Sequence, residues 1–255
     1  MAKVISVVNQ KGGVGKTTTS VNTAAYLAHL GRRVLLVDID PQANATSGLG
    51  IDHDKLEHGV YEAILGEKTL HEVAVRTLDE RFHVAPATAT LAGAVIEMVN
   101  LPNREFRLSQ IIDEVREYYD YIIIDGPPSL GLLTVNSLVA ADEILIPVQS
   151  EYYALEGLGQ LLQTIDLIRQ NLKPELAIMG AVITMFDRRN SLSGAVMNEL
   201  YQHFPGRIFR SIIPRSVRLA ESPSYGRSIL NYDAKSRGGR AYEKLAREII
   251  ALENI

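Results

Sequence analysis

The chain has 255 residues and a formal net charge of −4, with 46% hydrophobic residues, 22% charged residues and no cysteine. This size supports one large core or two small ones, and no linker-like stretch divides the sequence, so we expect a single domain over residues 1–255. The lack of cysteine excludes a disulfide scaffold and an iron–sulfur cluster held by thiolates, and no apolar run approaches the roughly 20 residues of a membrane span.

The N-terminal residues lead directly into a predicted strand and carry no signal-peptide pattern, so we expect a cytoplasmic protein. Charge is distributed unevenly, because residues 183–255 hold 12 of the 26 lysines and arginines but only 7 of the 30 acidic residues. A locally basic face on an acidic protein can hold phosphate groups. Scattered, solvated arginines would give the same count, so the charge balance alone leaves both interpretations open.

The first predicted elements are a strand over residues 4–8, a glycine-rich loop NQKGGVGKTT over residues 9–18, and a helix that begins at its end. Backbone N–H groups in such a loop, with the positive end of the helix, form a site for phosphate oxygens. Lys16 is then placed to reach the β- and γ-phosphates of ATP, and the Thr17 hydroxyl to ligate Mg²⁺. The residues expected to bind the nucleotide here are Lys11, Gly12, Gly13, Val14, Gly15, Lys16, Thr17 and Thr18. The alternative is a glycine-rich turn whose lysines are there by chance.

This loop departs from the standard phosphate-binding pattern, since Gln10 replaces a glycine and a second lysine, Lys11, follows it. A lysine at the start of the loop is poorly placed to contact the γ-phosphate of the nucleotide that its own subunit binds. We therefore expect Lys11 to reach a nucleotide across a dimer interface. The run KGGVGKTT resembles the deviant P-loop of the ParA/MinD group of ATPases, which includes partition ATPases, division-site ATPases and the nitrogenase iron protein. The absence of cysteine excludes the last of these.

A short apolar strand over residues 33–37 ends in Asp38 and Asp40. Because ligands gather at the carboxyl ends of strands in open α/β sheets, both carboxylates are expected to point toward the phosphates. We expect Asp38 to support the outer shell of the metal or a loop. In the partition ATPases the residue that matches Asp40 is held to position the attacking water, and we include it among the candidate metal ligands. The alternative for Asp40 is a capped turn before Pro41.

The strand predicted at residues 121–124 ends in Asp125, which is followed by a glycine and two prolines. An apolar strand ending in an aspartate is the Walker B arrangement, in which the carboxylate holds Mg²⁺ directly or through water. The constrained loop that follows can sense the nucleotide state. Alone, this pattern is only a strand end and a turn; the glycine loop upstream favours the metal site.

The remaining pattern alternates between short strands and helices. Helices are predicted at residues 60–65, 70–75, 91–99, 106–118, 130–140, 191–201 and 241–252, and residues 149–157 are predicted to lead into a long helix that ends at Gln170. Strands are predicted at residues 143–148, 177–184, 208–210 and 212–213, and residues 82–87 are predicted to form a strand followed by a loop. This alternation predicts an α/β fold with a doubly wound, mostly parallel sheet and helices on both faces. The pair Tyr152-Tyr153 is expected to pack in a core or an interface.

Residues 149–157 and 214–223 resemble the partition proteins closely. In that family the loop after the last strand frames the adenine, which implies base contacts by Pro214 and Ser216, although asparagine is common at the position of Ser216. Arg189 and Arg218 match positions to which family members assign non-specific DNA contact, a role suited to the planar, permanently charged guanidinium. The alternative for each arginine is a surface salt bridge or a solvated side chain.

The resemblance to the ParA/Soj-type partition ATPases covers nearly the whole chain, and no helix-turn-helix domain precedes the P-loop, as in the short, chromosome-type form. It implies a slow, regulatory ATP hydrolase for chromosome or plasmid segregation that uses ATP and Mg²⁺. It also implies a homodimer when ATP is bound, non-specific binding to double-stranded DNA at the nucleoid, and a ParB-type centromere-binding partner that stimulates hydrolysis. Catalysis would then fall to Lys11, Lys16 and Asp40.

Two other functions remain open on the same scaffold. One is a MinD-like, membrane-surface ATPase of division-site placement. A membrane-targeting helix would have basic residues on its polar face and bulky apolar or aromatic anchors. The last helix mixes acidic and basic residues and follows Gly238 and Gly239, so we expect it to pack on the domain and expect no membrane binding. The other is an ATP-dependent ligase or synthase for a small molecule such as a biotin precursor or a corrinoid. That function would require a substrate pocket beside the phosphates, and Lys11 would have no need to cross an interface.

Overall fold

The computed structural model describes residues 1–151 and 154–254, so the predicted packing of Tyr152 and Tyr153 lies outside the described residues. The strands are β1 (Lys3–Val7), β2 (Val34–Asp38), β3 (Val75–Arg76), β4 (Phe82–Ala85), β5 (Tyr121–Asp125), β6 (Glu143–Gln149) and β7 (Ala177–Thr184). The helices are α1 (Lys16–His29), α2 (Asn44–Gly48), α3 (Val60–Leu65), α4 (Leu70–Val73), α5 (Leu91–Met98), α6 (Arg107–Asp113), α7 (Leu132–Ala140), α8 (Ala154–Asn171), α9 (Ser191–His203), α10 (Val217–Glu221), α11 (Ile229–Asp233) and α12 (Arg237–Ala251).

The strands form one sheet in the order β3-β4-β2-β5-β1-β6-β7. Strand β3 is antiparallel to β4, and the other neighbours run parallel to each other. The doubly wound, mostly parallel α/β fold predicted from the alternation is therefore confirmed. Strands β2, β5 and β1 lie side by side, so their carboxyl ends meet at the same edge of the sheet.

Each face of the sheet carries its own hydrophobic core, because successive strand residues point to opposite faces. On one face Val4 and Ile122 pack with helices that include α3, α5 and α7. On the other face Ile5 and Ile123 pack with α1 and α12. Burial on both faces explains why these strands are continuously apolar rather than alternating.

The strand predictions at residues 208–210 and 212–213 are wrong, since one isolated bridge, between Ile208 and Ala181, is all the strand pairing that forms there. The N–H groups of Phe209 and Ile213 donate to carbonyls of β7, but between them the backbone N–H groups of Arg210 and Ser211 both donate to the Glu248 carboxylate, at 2.9 and 2.8 Å, which interrupts a ladder. The short strand β3 was not predicted, because residues 70–75 were interpreted as one helix. In the structure, Leu70–Val73 form α4, and Val75–Arg76 form β3.

The last helix begins earlier than predicted, at Arg237, and includes Gly238 and Gly239. Both glycines sit in very close contacts, since a Cβ added at Gly238 would lie 2.7 Å from Leu219 Cγ and one at Gly239 would lie 2.5 Å from the Ala234 carbonyl oxygen. The two glycines, which suggested that the helix begins after them, thus lie within α12 and allow it to pack tightly.

Within the described residues, no helix has both the length and the apolar character that a bilayer crossing requires.

Candidate functional site: a phosphate and base pocket

The sheet register brings the candidate acidic residues together. Val7, the last residue of β1, pairs with Asp125 on β5, and Asp125 pairs with Asp38 on β2. Both carboxylates are fully buried. The glycine loop leaves β1 at the same level, so the phosphate loop and these two carboxylates share one edge of the sheet.

The glycine loop has the backbone geometry that its sequence predicts. Gly13 and Gly15 adopt left-handed conformations, with φ of +74° and +89°, and Gly15 is the N-cap of α1. Glycine reaches these angles without steric cost, and the curl turns backbone N–H groups toward one point. Lys16 is buried, and its ammonium donates to the Lys11 carbonyl 3.3 Å away, closing the loop on itself.

The surroundings of the Lys16 ammonium shift its pKa in opposite directions, and the net shift is downward. Burial lowers the pKa of Lys16, whereas the charges of Asp125 and Asp40 raise it. A buried cation beside carboxylates at the N-terminus of a helix is suited to receive the phosphates of a nucleotide. Residues 11–18, which were predicted to bind the nucleotide, form the loop and first turn around this cation at the N-terminus of α1.

Asp125 carries the features expected of a metal ligand. Its Oδ1 accepts a hydrogen bond of 2.7 Å from Ser20, whereas its buried Oδ2 has no hydrogen-bond partner within the described residues. Burial, together with the charge of Asp38, raises the pKa of Asp125. An orphaned carboxylate oxygen beside Thr17, whose hydroxyl is the other predicted ligand, fits the oxygen ligands that Mg²⁺ prefers. Magnesium bound there would neutralise charge on the phosphates.

Asp38 organises the loop that carries Asp40. Its Oδ2 accepts from the Thr46 backbone N–H and hydroxyl, at 2.9 and 2.7 Å, and its Oδ1 accepts from the Asp40 N–H at 3.1 Å. Burial raises the pKa of Asp38 despite these bonds. The expected role of Asp38 in supporting a loop is thus evident in its contacts.

Asp40 is buried at the same edge, and its Oδ1 accepts a bond of 3.0 Å from the Gln42 N–H. The capped turn considered as its alternative interpretation is therefore present. The turn also fixes the carboxylate close to Lys16, whose pKa it raises. The turn and a role in positioning water are compatible, because the turn bond involves one oxygen of the carboxylate.

Lys11 interacts with its own chain in this structure. Its ammonium lies 3.6 Å from the Glu151 carboxylate, and the Arg215 guanidinium approaches the same carboxylate at 3.4 Å. Gln149 donates to Glu151 as well, at 2.6 Å. The contacts of Glu151 were not predicted, because nothing in the local pattern at residues 149–157 indicates which distant cation this side chain contacts.

A cavity of about 240 Å³ lies beside the glycine loop. Gly15 and Thr18 line one side, and Pro214 and Ser216 line the other, so the structure brings the predicted phosphate and base residues to the same cavity. Apolar side chains of Ile213, Leu219 and Met185 complete its wall. Its size and apolar lining are suited to a nucleobase.

The two predicted DNA-binding arginines both form ion pairs within the chain. Arg189 makes a two-point contact with Asp187 at 2.9 and 3.1 Å, which lowers the pKa of Asp187 to about 2. Arg218 contacts Glu221 at 3.2 Å and Asp233 at 3.6 Å. The salt bridges considered as the alternative interpretation are therefore present for both residues. Both arginine side chains remain more than half exposed and accessible to a partner.

A basic depression, which was not predicted from the sequence, adjoins the base pocket, since Pro214 lines both cavities. This cavity of about 350 Å³ is bordered by the cations Arg188, Arg210, Arg237, Arg240 and Lys244. An adjoining depression shares Arg188 and Arg237 and adds Arg189 and Arg215. The excess of basic residues after position 183 was its only signal in the sequence.

The chain is similar to known proteins over nearly its whole length. Residues 2–178 match a family model described as an AAA domain. The chain is 51% identical to the sporulation initiation inhibitor protein Soj of Bacillus subtilis, over 98% of this chain and 99% of that protein. It is also 51% identical to the chromosome partitioning protein ParA of Myxococcus xanthus, over 98% of this chain and 88% of that one.

Among solved structures, the chain is similar to a Mycobacterium smegmatis protein described as a cobyrinic acid a,c-diamide synthase with bound ADP and magnesium. The two share 37% identity with a TM-score of 0.88, over 100% of this chain and 96% of the other.

Proposed function

Because the chain belongs to the ParA/Soj family of chromosome-partitioning ATPases, we propose that it is a nucleotide-controlled switch that binds DNA as an ATP-bound dimer and releases it after hydrolysis. Two such subunits would face each other with a nucleotide at each glycine loop, and Lys11 of each subunit would reach the phosphates held by the other. Occupancy of the site and pairing of the subunits would then be one event.

The basic depression is the observation that supports DNA as the partner. Five cationic side chains surround it on a protein whose net charge is −4, and Arg189 and Arg215 extend it. Arginine binds phosphate oxygens at two points and keeps its charge at any physiological pH. Concentrating these cations on one side favours a polyanion over any neutral ligand, and contacts with phosphates rather than bases give binding without sequence preference.

Dimerisation would make this binding depend on ATP. Phosphate contacts add in the logarithm of the affinity, so two basic faces on one duplex bind far more tightly than one face alone. A single subunit would dissociate readily at physiological salt. The proposed switch therefore needs no rearrangement of the basic depression, only the presence or absence of a second copy.

For hydrolysis, we assign roles in the proposed dimer to three side chains: Lys16, Lys11 and Asp40. Lys16 and the partner's Lys11 would hold the phosphates and neutralise the charge that develops on them, and Asp40 would orient the attacking water. Thr17 and Asp125 would hold Mg²⁺, which contributes further neutralisation at the phosphates. Asp38 would act through the loop, by holding the backbone around Asp40 in place.

The slow, regulatory character of the hydrolysis and its stimulation by a ParB-type centromere-binding partner belong to the same proposal, and they come from the family. So does a location on the nucleoid, which follows from non-specific binding to chromosomal DNA. The neighbour named as a cobyrinic acid a,c-diamide synthase has lower identity to this chain than the partition proteins, 37% against 51%. Its small-molecule chemistry is therefore the second candidate, and we do not adopt it.

A mobility-shift titration tests the proposal. Two duplexes of unrelated sequence would be titrated with ATP, with ADP and without nucleotide, over a series of salt concentrations, and vesicles of anionic lipid would be tested in parallel by co-sedimentation. The proposal predicts ATP-dependent binding to both duplexes that weakens steeply with salt, and no binding to vesicles. Binding to vesicles but not to duplexes would support a membrane-surface ATPase, and binding to neither would contradict both.

A further inference from the structure

The basic depression combines a cationic rim with a largely apolar floor. The rim consists of five exposed side chains, those of Arg188, Arg210, Arg237, Arg240 and Lys244. The floor consists of buried and partly buried residues, namely Phe186, Ser211, Ile212, Pro214 and Ala241. A DNA duplex presents sugars and phosphates to such a surface, so the proposed DNA binding accounts for the rim. It does not account for a recessed apolar floor.

The five rim cations lack compensating charge. None of them forms an ion pair within residues 1–151 and 154–254, and none of the described residues that border the depression is acidic. By contrast, Arg189 and Arg247 pair with carboxylates at 2.9 and 2.8 Å. The nearby Glu248 carboxylate accepts from backbone N–H groups instead of pairing with a rim side chain. Like charges gathered in this way repel one another and attract an anion strongly.

The start of α12 adds to this attraction. Arg237 and Arg240 lie among its first four residues, none of which is acidic, and Lys244 follows one turn later. The positive end of a helix dipole disfavours cations and favours an anion. The arrangement therefore costs stability without a ligand, and binding of an anion would relieve that cost.

The dimensions of the depression indicate a small ligand. Its volume of about 350 Å³ lies at the lower end of the range for small-molecule pockets, so it holds one nucleotide but not a duplex. Phe186 on the floor gives a planar base an aromatic surface on which to stack. No residue of the glycine loop lines the depression, and Pro214 is the residue that it shares with the base pocket. The depression is therefore separate from the site proposed for ATP.

We propose that the basic depression binds a small nucleotide that carries phosphate groups at two separate positions, and that this ligand competes with DNA for the rim cations. The rim cations come from three segments around one floor, so phosphates on different sides of a base are both within their reach. Each terminal phosphate carries a charge of about −1.5 to −2, which suits a rim of five cations better than the single charge of a DNA phosphodiester does. Binding of the nucleotide is independent of the proposed function, whereas the competition rests on the proposed binding of DNA.

Filling the floor separates the small ligand from DNA. Ala241→Leu adds volume to the floor and leaves every rim charge in place, so it should weaken nucleotide binding about tenfold or more and leave DNA affinity within about twofold. Because Ala241 also packs against the core, the melting temperature of the variant would be measured. Ile212→Phe fills the floor from another segment and replaces Ala241→Leu if that variant is unstable. Lys244→Ala should weaken nucleotide binding about tenfold, and Arg247→Ala on the same helix is the matched control.

The experiment is calorimetric titration with adenosine 3′,5′-bisphosphate, with pyrophosphate and adenosine as partial probes. The wild type is expected to bind the bisphosphate, to bind pyrophosphate about tenfold more weakly because it lacks a base, and to bind no adenosine. Lys16→Ala, which impairs the glycine loop, and Arg247→Ala should leave the bisphosphate affinity within about twofold of the wild type. In a mobility shift, the bisphosphate should displace DNA from the wild type but not from Ala241→Leu.

The absence of bisphosphate binding would overturn the inference. Loss of binding in Lys16→Ala would also overturn it, since the probe would then occupy the glycine loop. Undiminished binding in a stable floor-filling variant, or equal binding of pyrophosphate, would remove the role of the floor. A bisphosphate that binds without displacing DNA would contradict the competition. If the wild type bound no duplex under any condition, the proposed function would fail, while the calorimetric result would still decide the nucleotide site.

Discussion

The Lys11 ammonium lies 3.6 Å from the Glu151 carboxylate of its own chain. Arg215, which lines the base pocket, approaches the same carboxylate at 3.4 Å. One acidic side chain thus holds a cation from the glycine loop and a cation from the base loop. In the proposed dimer Lys11 must leave this carboxylate to reach the partner's phosphates, so Glu151 competes with the nucleotide for Lys11.

Glu151→Gln should make dimerisation easier. The amide keeps the shape of the side chain but removes the charge that holds Lys11 and Arg215. Because exposed ion pairs contribute about 0–1 kcal/mol, the ATP concentration for half-maximal dimerisation should fall about two- to fivefold. Size-exclusion chromatography with light scattering measures it. Glu143→Gln, which breaks a salt bridge to Lys3 at the start of β6, is the control and should change nothing. A higher ATP requirement in Glu151→Gln would mean that the carboxylate supports the dimer.

Lys11→Ala should abolish ATP-dependent dimerisation while leaving some nucleotide binding, because Lys16 and the loop backbone remain. Mixing this variant with Lys16→Ala gives a sharper test. In a mixed dimer the Lys11→Ala subunit keeps its own Lys16 and receives Lys11 from the other subunit, so one site is complete. Because neither variant should pair with itself, the dimers that form are mixed and have one complete site each, so the ATPase rate should recover to about half of the wild-type rate. Activity in Lys11→Ala alone would contradict the cross-interface role.

Asp125→Asn should stabilise the protein without nucleotide and weaken its response to Mg-ATP. Two buried carboxylates, Asp38 and Asp125, lie opposite each other in the sheet, and removing one charge relieves their repulsion. We expect the melting temperature of the nucleotide-free variant to rise by about 2–4 °C. The wild type should gain roughly 2.7 kcal/mol at a hundredfold excess of Mg-ATP over its dissociation constant, and the variant should lose most of this gain. Thermal melting with and without EDTA measures both effects.

Asp40→Ala should leave ATP binding intact and prevent turnover, because Lys16 and the glycine loop are unchanged while the carboxylate that orients water is lost. The variant is expected to remain an ATP-bound dimer on DNA. A phosphate-release assay combined with the mobility shift measures this. Rapid turnover would show that another group positions the water, and that the role of Asp40 is limited to its turn bond with Gln42.

Arg237→Ala with Arg240→Ala should weaken DNA binding and lower its salt dependence. The slope of log affinity against log salt should fall by about 1 for each phosphate contact that is lost. Arg247→Ala is the matched control on the same helix, since Arg247 pairs with Glu243 at 2.8 Å and does not line the basic depression. An equal effect for each charge removed, in the double variant and in Arg247→Ala, would indicate that only net charge matters, and would remove the basic depression as the DNA site.

The position of the candidate phosphate-site residues at one edge of the sheet was predictable from the sequence because its parts are local. A strand end fixes Asp38 and Asp125, and the glycine loop fixes Lys16 and Thr17, so once the strands are parallel these residues must meet at one edge. The start of α12 was predicted too far along the chain, because Gly238 suggested a break in the helix. In the structure Gly238 lies inside the helix, where its close contact with Leu219 requires glycine. Residue type alone does not reveal such a contact.

The contacts that were missed join segments far apart in the chain. Glu151 meets Lys11 across 140 positions, and the basic depression draws cations from the segments around Arg188, Arg210 and α12. The left-handed conformation of Met185, whose φ is +52°, was not predictable either, because methionine does not favour it and the hydrogen bonds around it come from three other parts of the fold. Long-range packing, rather than local pattern, determines these features.

The most direct measurement is a crystal structure of the Asp40→Ala variant with Mg-ATP. The account predicts a two-fold dimer in which the Lys11 ammonium of each subunit has left Glu151 and contacts the phosphates bound by the other. Separate subunits, each with Lys11 on its own nucleotide or still on Glu151, would contradict it.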